Sequence, residues 1–577
     1  MKPPDEGAGP LSRRLPVGFW LAIGAGIALR AWYLSDLVRQ PWFGYPIVDA
    51  MTFDRTAQEI LAQGHPGAFF RPPLYPYFLA ALYAAFGRSF VAVAAAQGLL
   101  GLAALVPAYR LGERWFGRAA ALAGVWIGAC YPLRVFFEGE LLDVTLFGFL
   151  FLWGTWQLWR AGEEASVSRM LLAGLLYGAA ALTRPNVLVA LPFIAAGAAL
   201  ALPGARRPVL AATAALGVAL AIAPATVHNW RSDRAFIPVA ANGGVNFFLG
   251  NERGATGLTP VPPGLRWQQA ILRPIHAGRQ SLAEQDRWWY GQAATEIAAA
   301  PGRWLRLLGV KAALFVNAAE SSNNKALGHF TAVSLPVRHY RWWYGAVLSL
   351  AVVGCAARPG RGTAFLALLT AGFAASVILF FVAERYRLPL VPLLAPAAVA
   401  GALELWRAAR SGERRRIAAL AALGGTAALA VFPDWLGAGR ERISADGQMG
   451  QILLMRGEPD RAIASVTRAL AADPDSPDLL NLLGSALVQR GDLDGAEAAF
   501  LAAQKLGDFG GVWYNLGVLA ERRGPRYRDL AATRYRRALA ANPSDGRARA
   551  NLEALEREAG TPGGWAPAGG DPAPPPP

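Results

Sequence analysis

Apolar runs of about twenty residues, recurring from Val17 to Pro433, constrain this chain more than any motif in it. A helix of that length crosses the hydrocarbon core of a bilayer. A soluble helix needs only one apolar stripe. With 54% hydrophobic and 17% charged residues over 577 positions, the runs are too many to be core helices of a soluble protein. Hydropathy predicts about eleven spans, at 17–38, 89–110, 118–136, 141–160, 169–183, 186–203, 208–227, 342–357, 362–382, 388–406 and 416–433. The segment from Val17 to Val38 is long for a signal peptide and lacks a small-residue cleavage site, so it reads as the first anchor.

Charge orients the spans. Every second connector is basic, through Arg13 and Arg14, Arg110 to Arg118, Arg160 and Arg169, Arg206 and Arg207, Arg358 and Arg361, and Arg407 to Arg416. Basic connectors face the cytoplasm. The short N-terminal tail, residues 1–16, is then cytoplasmic, and the long loops 39–88 and 228–341 are external. Within those loops, residues 72–87 and 304–315 are too short and too broken by proline or charge to span, and they read as helices lying in the interface. The net charge of +16 is accounted for by these connectors, so no nucleic-acid partner is expected. The two cysteines, Cys130 and Cys355, lie in apolar runs without a CxxC partner, which argues against a disulfide framework or a zinc site.

Beyond the transmembrane segment (17–435) the composition becomes that of a soluble helical domain, residues 440–560, with a period of about 34 residues. Gly450, Gly484 and Gly517 fall in register, as do Val466, Phe500 and Tyr535, and Ala469, Ala503 and Ala538. Small residues where two helices cross, large ones wedged beside them, and Pro474 and Pro543 after the second helix make the tetratricopeptide pattern. The third copy carries a two-residue insertion near "GPRYRD", and residues 547–559 supply a capping helix. The Pro/Gly-rich end, 561–577, is expected to be disordered. The fold class is all-α: a polytopic helical membrane domain followed by a tetratricopeptide solenoid.

The ionisable residues that need explaining collect on the external side of this topology. They are Asp49, Asp54 and Arg71 in the first loop, Arg134, Glu138, Glu140 and Asp143 near spans three and four, Arg184 after span five, His228 after span seven, and Glu384 to Arg387 before span ten. Such groups near a bilayer are costly and usually face a cavity. Carboxylates and arginines on one face suit an anionic substrate: a carboxylate accepts a proton, and forked guanidiniums hold a phosphate. There is no Walker loop, HExxH, GxSxG or calcium loop to support nucleotide-driven transport or triad hydrolysis. Local alternatives exist for each group. Asp49 could cap the helix that follows, Asp54 has Arg55 beside it, Arg30 could pair with Asp36, and a lone His228 is a structural residue before it is a ligand.

The order "DAMTF" (49–53), then "FFRPPLYPYFLAALYAAFG" (69–87), resembles the first external loop of GT-C glycosyltransferases, in particular the lipid A aminoarabinose transferase and protein O-mannosyltransferase branch. "PATVHNWRSDRAFIPVAANGGVNFFLGNERGATG" (224–257) and "ERYRLPLVPLLAPAA" (384–398) are similar to stretches of bacterial members, so the resemblance covers roughly residues 17–410. It implies an inverting enzyme that moves a sugar from a polyprenyl-phosphate donor to an acceptor hydroxyl. Asp49 matches the general base; Arg71, Arg385 and Arg387 match basic positions that contact the lipid phosphate. Asp54, Glu138, Glu140, Arg184 and Tyr386 are expected to line the cavity. Ala50 stands where a second acid is often found, which leaves a divalent metal without support; no cofactor is required. The expected setting is a bacterial inner membrane with the repeats outside, donor and lipids as partners, a protein, lipid or glycan acceptor, and a protein partner for the repeats. An O-antigen ligase or polymerase, or a non-enzymatic membrane scaffold, are the rival readings.

Overall fold

A computed structural model describes residues 14–64, 67–201, 206–258, 264–434, 437 and 444–559. The first thirteen residues and the Pro/Gly-rich end, for which a tail and disorder were expected, lie outside the described residues. Among the described residues there are helices and no strands. The chain divides into two compact units, one of residues 1–260 and 279–441, the other of 261–278 and 442–577.

In the first unit each of the eleven apolar segments carries helix among the described residues, but eleven full spans are not confirmed. Five helices are long and apolar enough to cross a membrane: Val17–Leu37, Phe90–Phe116, Arg207–Asp233, Arg361–Ile378 and Glu384–Ser411. A sixth forms if Arg118–Cys130 and Pro132–Glu138, bent by 48° at their junction, count as one. The bend falls at Tyr131, whose extended backbone precedes Pro132, as the steric demand of proline requires. Helices Val167–Ala181 and Trp343–Ala357 are apolar but only 15 residues each, about five short of a bilayer crossing. The two segments read as interfacial are the helices Leu74–Phe86 and Pro301–Val316.

Where helices of this unit approach closely, glycine makes it possible. A methyl on Gly174 or Gly217 would strike backbone of the facing helix, and the same holds for Gly354 and Gly401. These pairs let Val167–Ala181 lie against Arg207–Asp233, and Trp343–Ala357 against Val391–Ser411, as small residues do between membrane helices.

The second unit is three helical hairpins and a cap: Ala445–Met455 with Pro459–Ala472, Pro477–Arg490 with Leu493–Lys505, Gly510–Arg522 with Arg528–Ala541, and Gly546–Ala559. The insertion in the third copy is a single 3₁₀ turn, Pro525–Tyr527. Gly450 faces Val466, Gly484 faces Phe500 and Gly517 faces Tyr535, so the register read from the sequence is a register of crossing points. Helix Leu265–His276, from the long loop of the first unit, packs within this unit, with Leu265 buried in the cluster that contains Phe500 and Leu516.

A side chain at such a crossing has nowhere to go. Gly484→Leu should therefore destabilise the repeats by about 1–3 kcal/mol through overpacking. This would be seen as a lower unfolding midpoint of the repeat signal in the full chain, whereas Gly291→Leu, with open space around its Cα, should leave it unmoved.

Candidate functional site

Asp49 opens the helix Asp49–Gln63, with Val48 as the preceding cap residue. It is not a helix cap: no side-chain capping bond is made there, and the carboxylate is taken by other segments. Arg71 Nη1 donates to Oδ1 at 2.8 Å, while Arg385 Nη2 at 2.9 Å and Asn324 Nδ2 at 3.0 Å donate to Oδ2. Val48 has φ 57° and ψ −126°, a conformation that costs a β-branched residue of the order of 1–3 kcal/mol and recurs at functional sites.

Each partner is held in place by its own surroundings. Arg71 follows a segment pinned by Asn229, whose Oδ1 accepts from the Phe69 amide at 2.8 Å. His228 bonds the Gly67 carbonyl through Nε2 and stacks on the Phe69 ring at 4.6 Å, so its role is structural. Pro72 and Pro73 then fix the turn without needing backbone donors. Arg385 lies in the 3₁₀ turn Glu384–Tyr386 and is 6% exposed. Its Nε and Nη1 are buried without a hydrogen-bond partner. Tyr386 sits between two guanidiniums, Arg184 at 5.0 Å and Arg385 at 5.3 Å from the ring centre. Arg184 is itself held by Asp143 in a bidentate pair at 2.7 and 2.9 Å.

Burial raises the pKa of Asp49, but the Arg71 and Arg385 charges, with hydrogen bonds from Arg71 and Asn324, outweigh it and hold the carboxyl well below the usual carboxylate range. With two guanidiniums on one carboxylate, this cluster keeps one unit of positive charge. Next to it, a pocket of about 170 Å³ is lined by Arg71, Thr52, Thr56, Phe69, Pro76 and Tyr77, large enough for one ring-sized group.

Asp49, Arg71, Arg385, Arg184 and Tyr386 thus come together. Glu140 is adjacent: it pairs with Lys325 at 2.8 Å, next in sequence to Asn324, and lines a small cavity with Ala50, Asn324 and Glu384. Three expected residues lie elsewhere. Arg387 does not reach the cluster; it bonds Glu320 at 2.7 Å and the carbonyls of Phe315, Asn317 and Ala319, and lies 4.0 Å over the Tyr344 ring. At 2% exposure it ties the turn from which Arg385 projects to the loop after Pro301–Val316, and only its Nε is without a partner. Asp54 is buried against Arg88, through Nε and Nη2, and the Tyr83 hydroxyl at 2.8 Å, so its partner is Arg88 and not Arg55. Glu138 takes Arg30 at 2.6 Å and lines a separate cavity of about 30 Å³ with Arg134. Asp36, the partner expected for Arg30, accepts from Ser334 instead.

Sequence reasoning missed Asn324, Lys325 and Glu320. The one available signal was "ESSNNK" (320–325), a dense polar run in a loop otherwise rich in apolar residues. No group of three or more metal-ligating side chains occurs among the described residues.

Residues 70–230 match the family described as dolichyl-phosphate-mannose-protein mannosyltransferase. Residues 448–511 match the tetratricopeptide repeat family. The chain thus carries a segment similar to a mannosyltransferase family, followed by tetratricopeptide repeats. The matched segment contains Arg71, Glu138, Glu140 and Arg184, while Asp49 precedes it and Arg385 follows it. No curated protein sequence matches the chain. Among solved structures, the chain is similar to the apo oligosaccharyltransferase of Archaeoglobus fulgidus, with 12% identity, TM-score 0.41, and 74% of this chain and 55% of that one covered. It is also similar to ArnT of Cupriavidus metallidurans, apo (15% identity, TM-score 0.35, covering 87% and 79%) and bound to undecaprenyl phosphate (15%, 0.35, covering 84% and 77%). The chain spans about half the length of the archaeal enzyme.

The two arginines of the 384–387 turn should separate experimentally. Arg387→Ala leaves Glu320 as an uncompensated buried charge, at a cost of about 3–5 kcal/mol. The expected result is loss of monodisperse protein on extraction. The double variant Arg387→Met with Glu320→Leu, which removes both charges, should recover much of it.

Proposed function

We propose that the chain is a multi-pass membrane glycosyltransferase that moves a sugar from a polyprenyl-phosphate donor to an acceptor hydroxyl. The acceptor is a protein, lipid or glycan, and transfer proceeds with inversion on the external face of a bacterial inner membrane. The observation that carries the reading is Arg385, whose Nε and Nη1 are buried beside a carboxylate with no partner. A buried guanidinium with unmatched donors is unfavourable unless an anion arrives to take them. The surplus positive charge of the cluster fits the single negative charge of a phosphodiester, and the match over residues 70–230 supports a donor of that kind.

The geometry leads to a hand-over. With no donor bound, Asp49 neutralises Arg71 and Arg385 and is too weak a base to take a proton from a hydroxyl. A donor phosphate arriving at Arg71 and the unmatched edge of Arg385 draws those donors off Asp49. The freed carboxylate then accepts the acceptor's proton as the acceptor oxygen bonds to the anomeric carbon. The bond from that carbon to the phosphate oxygen breaks, and its electron pair leaves with the lipid phosphate, which the two guanidiniums stabilise. Asn324 keeps one hydrogen bond to Asp49 throughout and fixes its orientation.

Transfer from a labelled polyprenyl-phosphate sugar in membranes tests this directly. Asp49→Asn should lower it by about 10²- to 10⁴-fold without loss of folded protein, and near-normal transfer would sink the assignment. Arg71→Ala should raise the donor KM.

The pH profile gives an independent check. Because the Asp49 pKa is depressed, its contribution to stability is present above the unfolded value, about 3.9, and is lost only as pH falls through the folded value. In kcat/KM for the donor, Asp49 should therefore produce no acid limb above about pH 4. Arg71→Ala removes one of the opposing charges and its hydrogen bond, so the Asp49 pKa should rise and the acid limb move to higher pH than in the wild type.

A further inference from the structure

Helix Leu265–His276 begins without a capping side chain of its own. Its cap residue is Gly264, so its first amide, that of Leu265, has no local acceptor. The repeats supply one: Asp478 Oδ1, in the first turn of Pro477–Arg490, accepts from Leu265 N at 2.7 Å. A carboxylate at that place caps the helix from another segment and complements its positive end. A Cβ at 264 would meet the Asp478 carboxyl at 2.3 Å and displace it from the cap. Leu265 is 6% exposed in the apolar cluster of Phe500, Phe509, Val512 and Leu516. Gln269 Nε2 reaches the Asp508 carbonyl at 3.3 Å, and Gly511 leaves room for the Leu265 side chain.

We propose that this surface of the tetratricopeptide unit, between Asp478 and Gly511, is a docking site whose occupant is the chain's own Gly264–Leu265 helix start. The recognition has two parts, a trans cap on an uncapped amide and an apolar pocket for one leucine. It is a peptide site filled in cis. A consequence follows from connectivity alone. Residues 261–278 are an excursion of the loop that also carries Asn324, so docking fixes the repeats to whichever membrane face that loop occupies. That assignment does not depend on counting spans, nor on whether the chain transfers sugar.

Hydrogen exchange on the full-length protein in nanodiscs tests the docking. In the wild type, the amides of 265–276 should be protected. Asp478→Ala and Gly264→Leu should each speed their exchange by tenfold or more while helices 445–559 keep their protection. Gly254→Leu, in open space on the same loop, should change nothing. Gly264→Leu lies outside the repeats, so it reads the contact even if Asp478→Ala perturbs the solenoid. Wild-type exchange in 265–276 as fast as in the variants, or full protection in Gly264→Leu, overturns the proposal. In a background with Cys130 and Cys355 replaced by alanine, Gln280→Cys and Asp475→Cys should be labelled by an impermeant maleimide from the same side of the membrane. Labelling from opposite sides overturns it equally.

Discussion

The carboxylate of Asp49 is charged and largely withdrawn from water, with 15% of its side chain exposed, and several segments of the first unit converge on it. A lone ionised group removed from water costs several kcal/mol, and only well-placed counter-charges and hydrogen bonds offset it. Here the counter-charges come from far along the chain. Arg71 is 22 residues away, Asn324 275 and Arg385 336. Each comes from a different element: the turn before Leu74–Phe86, the polar run after Pro301–Val316, and the 3₁₀ turn that begins the Glu384–Ser411 span. A change in any of these segments reaches the same carboxylate. The strained backbone at Val48 is consistent with this, because convergence from three directions over-determines the position of the residue that follows.

Other buried ion pairs hold these segments where the cluster needs them. Arg387 with Glu320 ties the 384–387 turn to the loop after Pro301–Val316, which is also the loop that presents Asn324. Asp54 with Arg88 and Tyr83 ties Asp49–Gln63 to Leu74–Phe86 and so keeps Asp49 and Arg71 on one side. Lys325 with Glu140 and Arg184 with Asp143 brace the neighbouring walls. In these pairs the Arg387 Nε is the one buried atom without a partner among the described residues, whereas in the Asp49 cluster Arg385 leaves both Nε and Nη1 unmatched. Arg385 and Arg387 are both nearly inaccessible, and they differ in their partners: Glu320 and backbone carbonyls engage both terminal nitrogens of Arg387, whereas Arg385 bonds Asp49 through Nη2 alone.

That distinction was only half legible in the sequence. Asp49, Arg71 and Arg385 could be singled out because charged residues in such apolar surroundings are few. Their neighbours Asp54 and Arg387 satisfied the same criterion and went the other way, because the deciding fact is which donors already have partners, and partners such as Glu320 are remote in sequence. The repeats were the reverse case. Gly484 and Phe500 lie one helical hairpin apart, so the crossing they make is local and recurs at 450 and 517 in the same register. The docking of Leu265 on the solenoid left no periodic trace, since its marks are one glycine, one leucine and an aspartate more than two hundred residues away. The span count of eleven is not confirmed for a related reason: hydropathy sees apolar length, whereas apolar helices such as Val167–Ala181 and Trp343–Ala357 stop at 15 residues.

In the proposed transfer, the electrostatics of the cluster also impose an order on events. While Arg71 and Arg385 bear on Asp49, its affinity for a proton is far too low for it to assist an attacking hydroxyl. Only a competing anion relieves it, and the anion in question carries the leaving group. An acceptor that arrives first meets an unreactive carboxylate; one that arrives after the donor meets a stronger base at the moment when the phosphate is held. On that proposal, competition between two anions for two guanidiniums couples base strength to donor occupancy. It also limits reaction of the acceptor side when no donor is present, with no moving lid required.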